Sequence, residues 1–181
     1  MVNIKEVIIR EAKESDREAI ARVLLEAYSQ YSALLSETFW EEYRNSILDS
    51  VNGTRPAARI IAEIDKEIVG SVQLFLSSEA AYGKPELGIH SPIIRLLAVS
   101  PSARGLGVAT LLIQEAARRS LEFGASTLNL HTSDMMASAV KLYERLGFQR
   151  AYDTDIMNGD NLIKGFVLNL HLLQLQQNAV S

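Results

Sequence analysis

Cysteine is absent from the sequence, and this absence removes a group of chemistries. The chain can form no disulfide and no thiolate metal site. It also cannot form an acyl-cysteine intermediate, so direct transfer between two bound substrates would be the simplest route for any acyl transfer. The absence fits a reducing compartment as well.

The sequence also lacks a basic excess, a long apolar run and a signal-peptide pattern. Its formal net charge is -4, and its Lys and Arg residues are scattered, which argues against nucleic-acid binding. No apolar stretch approaches the ~20 residues that a membrane-spanning helix needs, and residues 1–5 carry no signal-peptide features. The histidines share no metal-ligand spacing. We therefore expect a cytoplasmic protein that binds no nucleic acid, membrane or metal.

The length and composition suit one soluble globular domain. The chain has 181 residues, of which 48% are hydrophobic and 22% are charged, so one sizeable core is expected. The patterned region covers about residues 7–172 of the single domain 1–181. We expect the polar tail after Leu175 to fray.

Apolar periodicity predicts the order strand, two helices, three strands, helix, strand, helix and two strands. Cap patterns at Ser15 and Thr38 are expected to start the first two helices. The segment 77–92 is rich in Gly, Pro and Ser and is predicted to be a long, functional loop. The order predicts an α/β fold with a mixed sheet between helices.

Residues 96–112 are the most informative segment, because they follow the pattern of a buried strand, a short turn and a glycine-containing loop that opens into a helix. The first N–H groups of such a helix lack partners, and the helix dipole adds positive potential there. Gly105 and Gly107 permit close approach of an anion because they carry no Cβ, and Arg104 adds a planar positive charge. The segment therefore predicts a phosphate or pyrophosphate site.

Other interpretations of this loop fit less well. A dinucleotide fingerprint needs a third glycine where Thr110 stands. It also needs an acidic residue after the next strand, but residues 128–131 are Leu-Asn-Leu-His. A nucleotide P-loop needs Gly-Lys-Ser/Thr, which does not follow here. A plain strand-to-helix turn without a ligand is the remaining alternative.

The loop resembles the central motif of the GNAT superfamily of acetyl-CoA-dependent N-acyltransferases. That motif runs Arg or Gln, two residues, Gly, one residue, then Gly or Ala, and Arg104, Gly107 and Ala109 occupy its positions. A second family-like segment follows at residues 139–148, and a looser resemblance covers about residues 7–170. The resemblance implies a GNAT-like fold, with a central mixed sheet flanked by helices, and acetyl-CoA as the ligand.

The resemblance assigns the acetyl-CoA site residue by residue. The loop amides would hold the pyrophosphate, and the main chain of the preceding strand would pair with the pantetheine arm like an added strand. The implied binding residues are Leu97, Ala98, Val99, Arg104, Gly105, Leu106, Gly107, Val108, Ala109 and Thr110.

The resemblance also implies a proton donor for the departing CoA thiolate. Tyr143 stands where family members often carry that tyrosine, and a phenol with an ordinary pKa near ~10 can donate a proton. The other interpretation of Tyr143 is core packing beside Met136 and Val140 on one helix face.

Two positions depart from the family pattern. Many members carry Asn where this chain has Met136, and a glutamate that serves as general base where it has Ile93. An amine must lose a proton to become a nucleophile. The general base is therefore left open among Glu86, His90, His131 and a water relay.

The resemblance implies an enzyme that transfers an acetyl group from acetyl-CoA to a primary amine, directly within a ternary complex. A CoA-binding sensor or partner-binding module without catalysis is the alternative, because both departures fall at functional positions. A nucleotide-binding regulatory domain is a third interpretation. The acceptor stays open among a small amine, polyamine, amino acid, antibiotic and peptide N-terminus.

Two further features concern partners. An aromatic group on the first two helices is a candidate lining for the acceptor pocket or a packing contact between the helices: Tyr28, Tyr31, Phe39, Trp40 and Tyr43. Homodimers are common in the family, and we expect the terminal strand at residues 166–172 to be exposed and to pair across one.

Overall fold

The computed structural model describes residues 5–53, 56–133 and 137–172. It has the predicted mixed α/β fold, with a mostly antiparallel sheet flanked by helices. The strands are β1 Ile8–Glu11, β2 Ala58–Ile64, β3 Glu67–Phe75, β4 Ile93–Val99, β5 Thr127–Ser133, β6 Gln149–Arg150, β7 Ile156–Asn158 and β8 Asn161–Asn169. The helices are α1 Arg17–Tyr28, α2 Glu37–Asn52, α3 Ser78–Tyr82, α4 Val108–Glu122 and α5 Ala137–Arg145.

The chain divides into two compact units. The first comprises Met1–Leu74 and Leu96–Glu115, and the second comprises Phe75–Arg95 and Ala116–Ser181. The division falls within β4 and within α4. A single domain over residues 1–181 stays a prediction, and the tail after Leu175 lies outside the described residues.

The first unit is an antiparallel arrangement of β1, β2 and β3 that continues to the end of β4. Strand β1 pairs with β2, and β2 pairs with β3 across a register shift at Ala62/Glu63. The Ser100 N–H donates to the Val69 carbonyl at 2.8 Å, which ties the end of β4 to β3. Apolar side chains of this unit are fully buried, among them Ile20, Leu24, Ile47, Ile60, Leu74 and Leu112.

The second unit places β8 between other strands. Strand β5 is antiparallel to β8 over residues 163–169, while β6 and β7 also pair with β8. On the side of β8 away from β5, β7 pairs with residues 161–163 and β6 pairs with Phe166 and Val167. The predicted exposed edge at residues 166–172 is therefore wrong for Phe166 and Val167, because β6 covers them.

The segment 77–92, predicted to be a loop, contains a short helix and a 3-10 turn at Pro85–Leu87. The Ser77 hydroxyl accepts the Ala80 N–H at 3.1 Å at the start of α3. Gly83, with φ 66°, ends the helix. The Ser78 N–H donates to the Ile89 carbonyl at 2.9 Å, which folds the segment back on itself. The Ser and Gly residues are helix boundaries here rather than signs of irregular chain.

The predicted caps of the first two helices are also wrong. Asp16 rather than Ser15 accepts the Lys13 N–H, at 2.7 Å, in a 3-10 turn before α1. Ser36 rather than Thr38 accepts the Phe39 N–H, at 3.2 Å, and caps α2. Several neighbouring Ser, Thr and Asp residues can cap a helix, and the backbone entry angle selects among them.

A close approach of β3 to α4 generates a stability prediction. A Cβ added at Gly70 would lie 2.8 Å from Val108 Cγ1 and 3.3 Å from the Ala98 carbonyl oxygen. We expect Gly70→Ala to lower the free energy of unfolding by about 1–3 kcal/mol because the packed strand and helix must separate. Urea denaturation of both proteins measures the difference.

Gly53→Ala is the matched control, because its added Cβ would meet no atom closer than 3.7 Å. Its stability should stay within about 1 kcal/mol of the parent. Equal stabilities for the two alanine variants would contradict this account of the strand and helix contact.

Candidate functional site

Strand β4 has a local break at Leu96. This residue has φ 53°, in the left-handed region that leucine rarely adopts. The parallel pairing of β4 with β5 is registered at Ile93↔Asn129, before the break. A left-handed residue redirects the backbone groups that follow it, and such strained positions concentrate at functional sites. Nothing in the sequence marks Leu96, so sequence reasoning missed it.

Tyr28 holds the strand immediately after the break. Its hydroxyl, at the end of α1, donates to the Leu97 carbonyl at 3.0 Å. The Tyr28 side chain is buried, with a relative exposure of 8%. The hydrogen bond therefore fixes the main chain of Leu97, a residue that was predicted to take part in binding.

The loop between β4 and α4 has the predicted form. Residues Pro101–Ala103 make a 3-10 turn, and Ala103 is buried beneath it. Residues 104–107 are exposed. Gly105 has φ 80° and Gly107 has φ 78°, conformations that favour glycine. Helix α4 then begins at Val108.

The loop presents a set of hydrogen-bond donors that suit an anion. A Cβ at Gly105 or Gly107 would meet no atom within 4 Å, so the backbone is open to a ligand on that side. The Leu111 N–H donates to the Gly107 carbonyl at 3.1 Å, whereas the N–H groups before it lack partners within α4. These donors, the helix dipole and exposed Arg104 suit a pyrophosphate group.

The aromatic group lies in the same unit as the loop. The ring centroids of Tyr28 and Tyr31 are 6.2 Å apart, those of Tyr28 and Tyr43 are 6.0 Å apart, and those of Trp40 and Tyr43 are 6.2 Å apart. Phe39 is exposed instead. The structure therefore brings four of the five residues together.

Tyr31 interacts electrostatically with Arg104 of the loop. Burial raises the pKa of its phenol, and the positive charge of Arg104 partly opposes this. The hydroxyl therefore stays protonated near neutral pH and can donate a hydrogen bond at the edge of the aromatic group.

Tyr143 lies on α5 in the second unit and is buried. Its ring makes an edge contact with Phe148, at 5.9 Å between centroids. The Phe148 N–H donates to the Tyr143 carbonyl at 3.0 Å, which closes the chain around the end of the helix. Packing and a reactive hydroxyl are compatible at this residue. Met136, the other motif position on this segment, lies outside the described residues.

The candidate bases have different surroundings. Glu86 is exposed in the turn Pro85–Leu87, and His90 is exposed as well. His131 Nδ1 lies 2.9 Å from the Tyr82 hydroxyl, and its Nε2 lies 2.8 Å from the Thr154 carbonyl oxygen. Ile93, at the position of the family's glutamate, is fully buried. His131 is therefore the only one of the three proposed side chains held in a polar network among the described residues.

Within residues 5–53, 56–133 and 137–172, no group of three or more His, Asp or Glu side chains is placed to hold a metal ion. None of the helices in these residues has the length and apolar character to cross a membrane.

Comparison with known proteins decides the family. The model of the acetyltransferase (GNAT) family matches residues 18–148. The chain belongs to the GNAT acetyltransferase family. This match includes β4, the glycine loop, α4 and Tyr143.

The sequence relatives are acetyltransferases that are longer than the matched segment. N-acetyltransferase 8B of Rattus norvegicus is 32% identical over 90 residues, which are 50% of this chain and 38% of that protein. Mycothiol acetyltransferase of Cellulomonas flavigena is 34% identical over 106 residues, which are 58% of this chain and 30% of that protein. The chain thus spans less than half of the length of these relatives.

Solved structures share the fold at low sequence identity. The paia N-acetyltransferase of Thermoplasma acidophilum, in complex with coenzyme A, superimposes with a TM-score of 0.69 at 15% identity. The comparison covers 91% of this chain and 99% of that one. The ribosomal-protein-S18-alanine N-acetyltransferase of Escherichia coli gives a TM-score of 0.60 at 15% identity, over 91% of this chain and 94% of that one. These similarities establish the GNAT fold.

The contact between Tyr28 and Leu97 generates the second prediction. We expect Tyr28→Phe to lower the free energy of unfolding by about 1 kcal/mol, because the Leu97 carbonyl loses its donor. Relative to the parent protein, amide hydrogen exchange should become faster in residues 97–99 and should change less in β2. Tyr152→Phe serves as the control, because Tyr152 is 74% exposed. Unchanged stability and exchange in the Tyr28 variant would contradict the assigned role.

Proposed function

We propose that this GNAT protein transfers an acetyl group from acetyl-CoA to a primary amine, directly and within a ternary complex. The observation that carries the proposal is the glycine loop. Gly105 and Gly107 adopt left-handed conformations. They connect exposed Arg104 to the N-terminus of α4. That arrangement suits the pyrophosphate of the acetyl donor.

Two stretches of backbone share the binding of acetyl-CoA. Arg104, Gly105, Leu106, Gly107, Val108, Ala109 and Thr110 bind the pyrophosphate. Leu97, Ala98 and Val99 pair with the pantetheine arm through main-chain groups, as an added strand would. The break at Leu96 and the hydrogen bond from Tyr28 support this role, because they fix the backbone direction of this half of β4.

The reaction needs a stabilised oxyanion and a protonated leaving group. A main-chain N–H near Leu97 stabilises the oxygen of the tetrahedral intermediate. Tyr143 protonates the departing CoA thiolate. The motif position of Tyr143 supports this assignment, and its ring packs edge to face against Phe148.

The acceptor is an amine. The aromatic residues of the first unit determine which class of amine binds. The aromatic rings of Tyr28, Tyr31, Trp40 and Tyr43 offer a surface for a cation, and the net charge of -4 favours a cationic acceptor. The relatives include a mycothiol acetyltransferase and a ribosomal-protein-S18-alanine N-acetyltransferase. Similarity therefore selects no single acceptor. We place this activity in the cytoplasm, with a homodimer as the proposed assembly.

A CoA-binding module without catalysis is the alternative, and one observation favours it. Ile93, where many relatives carry a catalytic glutamate, is fully buried and apolar. Such a module would bind acetyl-CoA and acetylate no amine.

Titration calorimetry with acetyl-CoA tests the binding site. We expect Gly107→Glu to weaken acetyl-CoA binding by at least about a hundredfold, a loss of about 2.7 kcal/mol, because it adds a negative charge and a Cβ where the pyrophosphate lies. Gly159→Glu is the matched control, since Gly159 has φ 63° and an equally open Cβ position. No binding to the folded parent protein, or equal binding to both variants, would contradict the assigned site.

Steady-state kinetics over a panel of amines tests Tyr143. We expect Tyr143→Phe to lower kcat by about a hundredfold or more, because the thiolate then leaves without its proton donor. The affinity for acetyl-CoA should stay within about threefold, since the hydroxyl acts on the leaving group and not on the pyrophosphate. Equal turnover in the two proteins would exclude Tyr143 as the proton donor.

A further inference from the structure

Two arginine side chains of the first unit line a cavity of about 260 Å³. Arg17 is the first residue of α1, and Arg59 is the second residue of β2. The other charged residues in the lining are Glu11, Lys13 and Glu14, which belong to the end of β1 and to the turn before α1. The cavity therefore lies where the end of β1, the start of α1 and the start of β2 meet.

Neither arginine is neutralised by a carboxylate. Among the described residues, Arg17 and Arg59 form no ion pair. Both residues are partly buried. Withdrawing a guanidinium from water without an opposite charge costs free energy. Two such groups on one cavity therefore indicate that a negative charge from outside the chain belongs there.

Backbone carbonyls hold Arg59 in place. Its Nη2 donates to the Ser50 carbonyl at 2.8 Å and also to the Gly53 carbonyl, and both carbonyls lie at the C-terminal end of α2. Its Nε is buried and has no hydrogen-bond partner in the part of the chain that the structure describes. The carbonyls carry only partial negative charge, so they fix the direction of the guanidinium and leave its full charge uncompensated.

The two arginines also act on each other. Burial lowers the pKa of Arg59, and the positive charge of Arg17 lowers it further. Both guanidiniums nevertheless stay protonated near neutral pH, because arginine is not deprotonated in proteins. Their repulsion makes the arrangement unfavourable by itself, and an anion that contacts both of them would make it favourable.

The other charged residues of the lining do not remove the need for an anion. Glu11, Lys13 and Glu14 are exposed, so their charges stay in contact with water. Glu11 already interacts with another group, and Lys13 adds a third positive charge. The partly buried charges of the lining are therefore both positive.

We propose that Arg17 and Arg59 bind a small oxyanion with two negative charges, either a phosphate group or a dicarboxylate. A planar guanidinium matches the paired oxygens of such an anion, and charge-assisted hydrogen bonds between them are strong. Two ligand charges balance the two arginines. The lining includes neither residues 97–99 nor residues 104–110, so this site goes beyond the function proposed above.

A bound oxyanion would act on α2 through Arg59. This residue already contacts the Ser50 and Gly53 carbonyls, so an anion on its remaining donors joins the start of α1 and the start of β2 to the end of α2. Helix α2 also carries Trp40 and Tyr43 of the aromatic group. The site is therefore an effector site that stiffens the helices of the first unit.

Thermal denaturation with inorganic phosphate and with malonate tests the site, and sodium chloride at equal ionic strength gives the baseline. The variants are Arg17→Gln and Arg59→Gln. Arg22→Gln is the matched control, because Arg22 is an exposed arginine of the same helix outside this cavity. Phosphate also suits the glycine loop, so the series is run in the parent protein and in the Gly107→Glu background.

We expect phosphate or malonate to raise Tm by at least about 3 °C above the chloride baseline in both backgrounds. The more effective anion identifies the chemical class of the ligand. Arg17→Gln and Arg59→Gln should each weaken this anion at least about tenfold, because a charge-assisted contact is lost. Arg22→Gln should change the affinity by less than about twofold.

The sign of the effect without these anions separates binding from structure. In chloride, Arg17→Gln should be at least as stable as the parent, because the repulsion between the guanidiniums disappears. Arg59→Gln loses the bonds to α2 and should be less stable, so Arg17→Gln is the decisive variant. Amide hydrogen exchange with the effective anion should become slower at residues 12–17, 50–53 and 58–60 than in chloride.

Equal Tm values in phosphate, malonate and chloride would overturn the proposal. A response that Arg17→Gln leaves unchanged would also overturn it, because the anion would then bind elsewhere. A response that Arg22→Gln removes to the same extent as Arg17→Gln would show an effect of net charge alone and would overturn it as well. Loss of the response in the Gly107→Glu background, with Arg17→Gln still responding, would assign the anion to the glycine loop instead.

Discussion

The turn from β4 into α4 is the constraint on which the rest of the structure depends. Left-handed backbone at Gly105 and Gly107 connects exposed Arg104 to the first N–H groups of α4. Packing also fixes the position of α4. Gly70 of β3 has no side chain, so α4 can approach the strand closely. The donor geometry is therefore set by packing and by two glycines, and it needs no acidic or metal-binding residue. A single negative charge introduced at this turn therefore tests the proposed function.

A second level of organisation lies before the turn. Leu96 adopts a conformation that leucine avoids, and the Tyr28 hydroxyl holds the carbonyl that follows it. The strained residue, Leu96, is next to the hydrogen-bonded residue, Leu97. The hydrogen bond therefore helps to hold the strained conformation. The aromatic residues around Tyr28 connect this backbone to α2, which joins the fixed strand to the proposed acceptor surface.

The sequence predicted those features that depend on local patterns. Apolar periodicity predicted β4 and α4, and the glycines predicted the turn between them, since both follow from backbone rules over a few residues. It failed for α3, whose five residues are bounded by Ser77 and Gly83 and resemble a loop. Leu96 carries no signal at all. The pair Tyr82 and His131 is 49 residues apart, and only the fold brings it together. The predicted exposed edge is wrong at Phe166 and Val167, because β6 pairs with β8 there.

The structure of this chain bound to coenzyme A tests the central claim most directly. The account predicts that the pyrophosphate oxygens lie within about 3.2 Å of backbone nitrogens in the loop 104–110, and that the pantetheine arm runs along residues 97–99. A pyrophosphate bound elsewhere, with the loop amides facing solvent, would contradict the account.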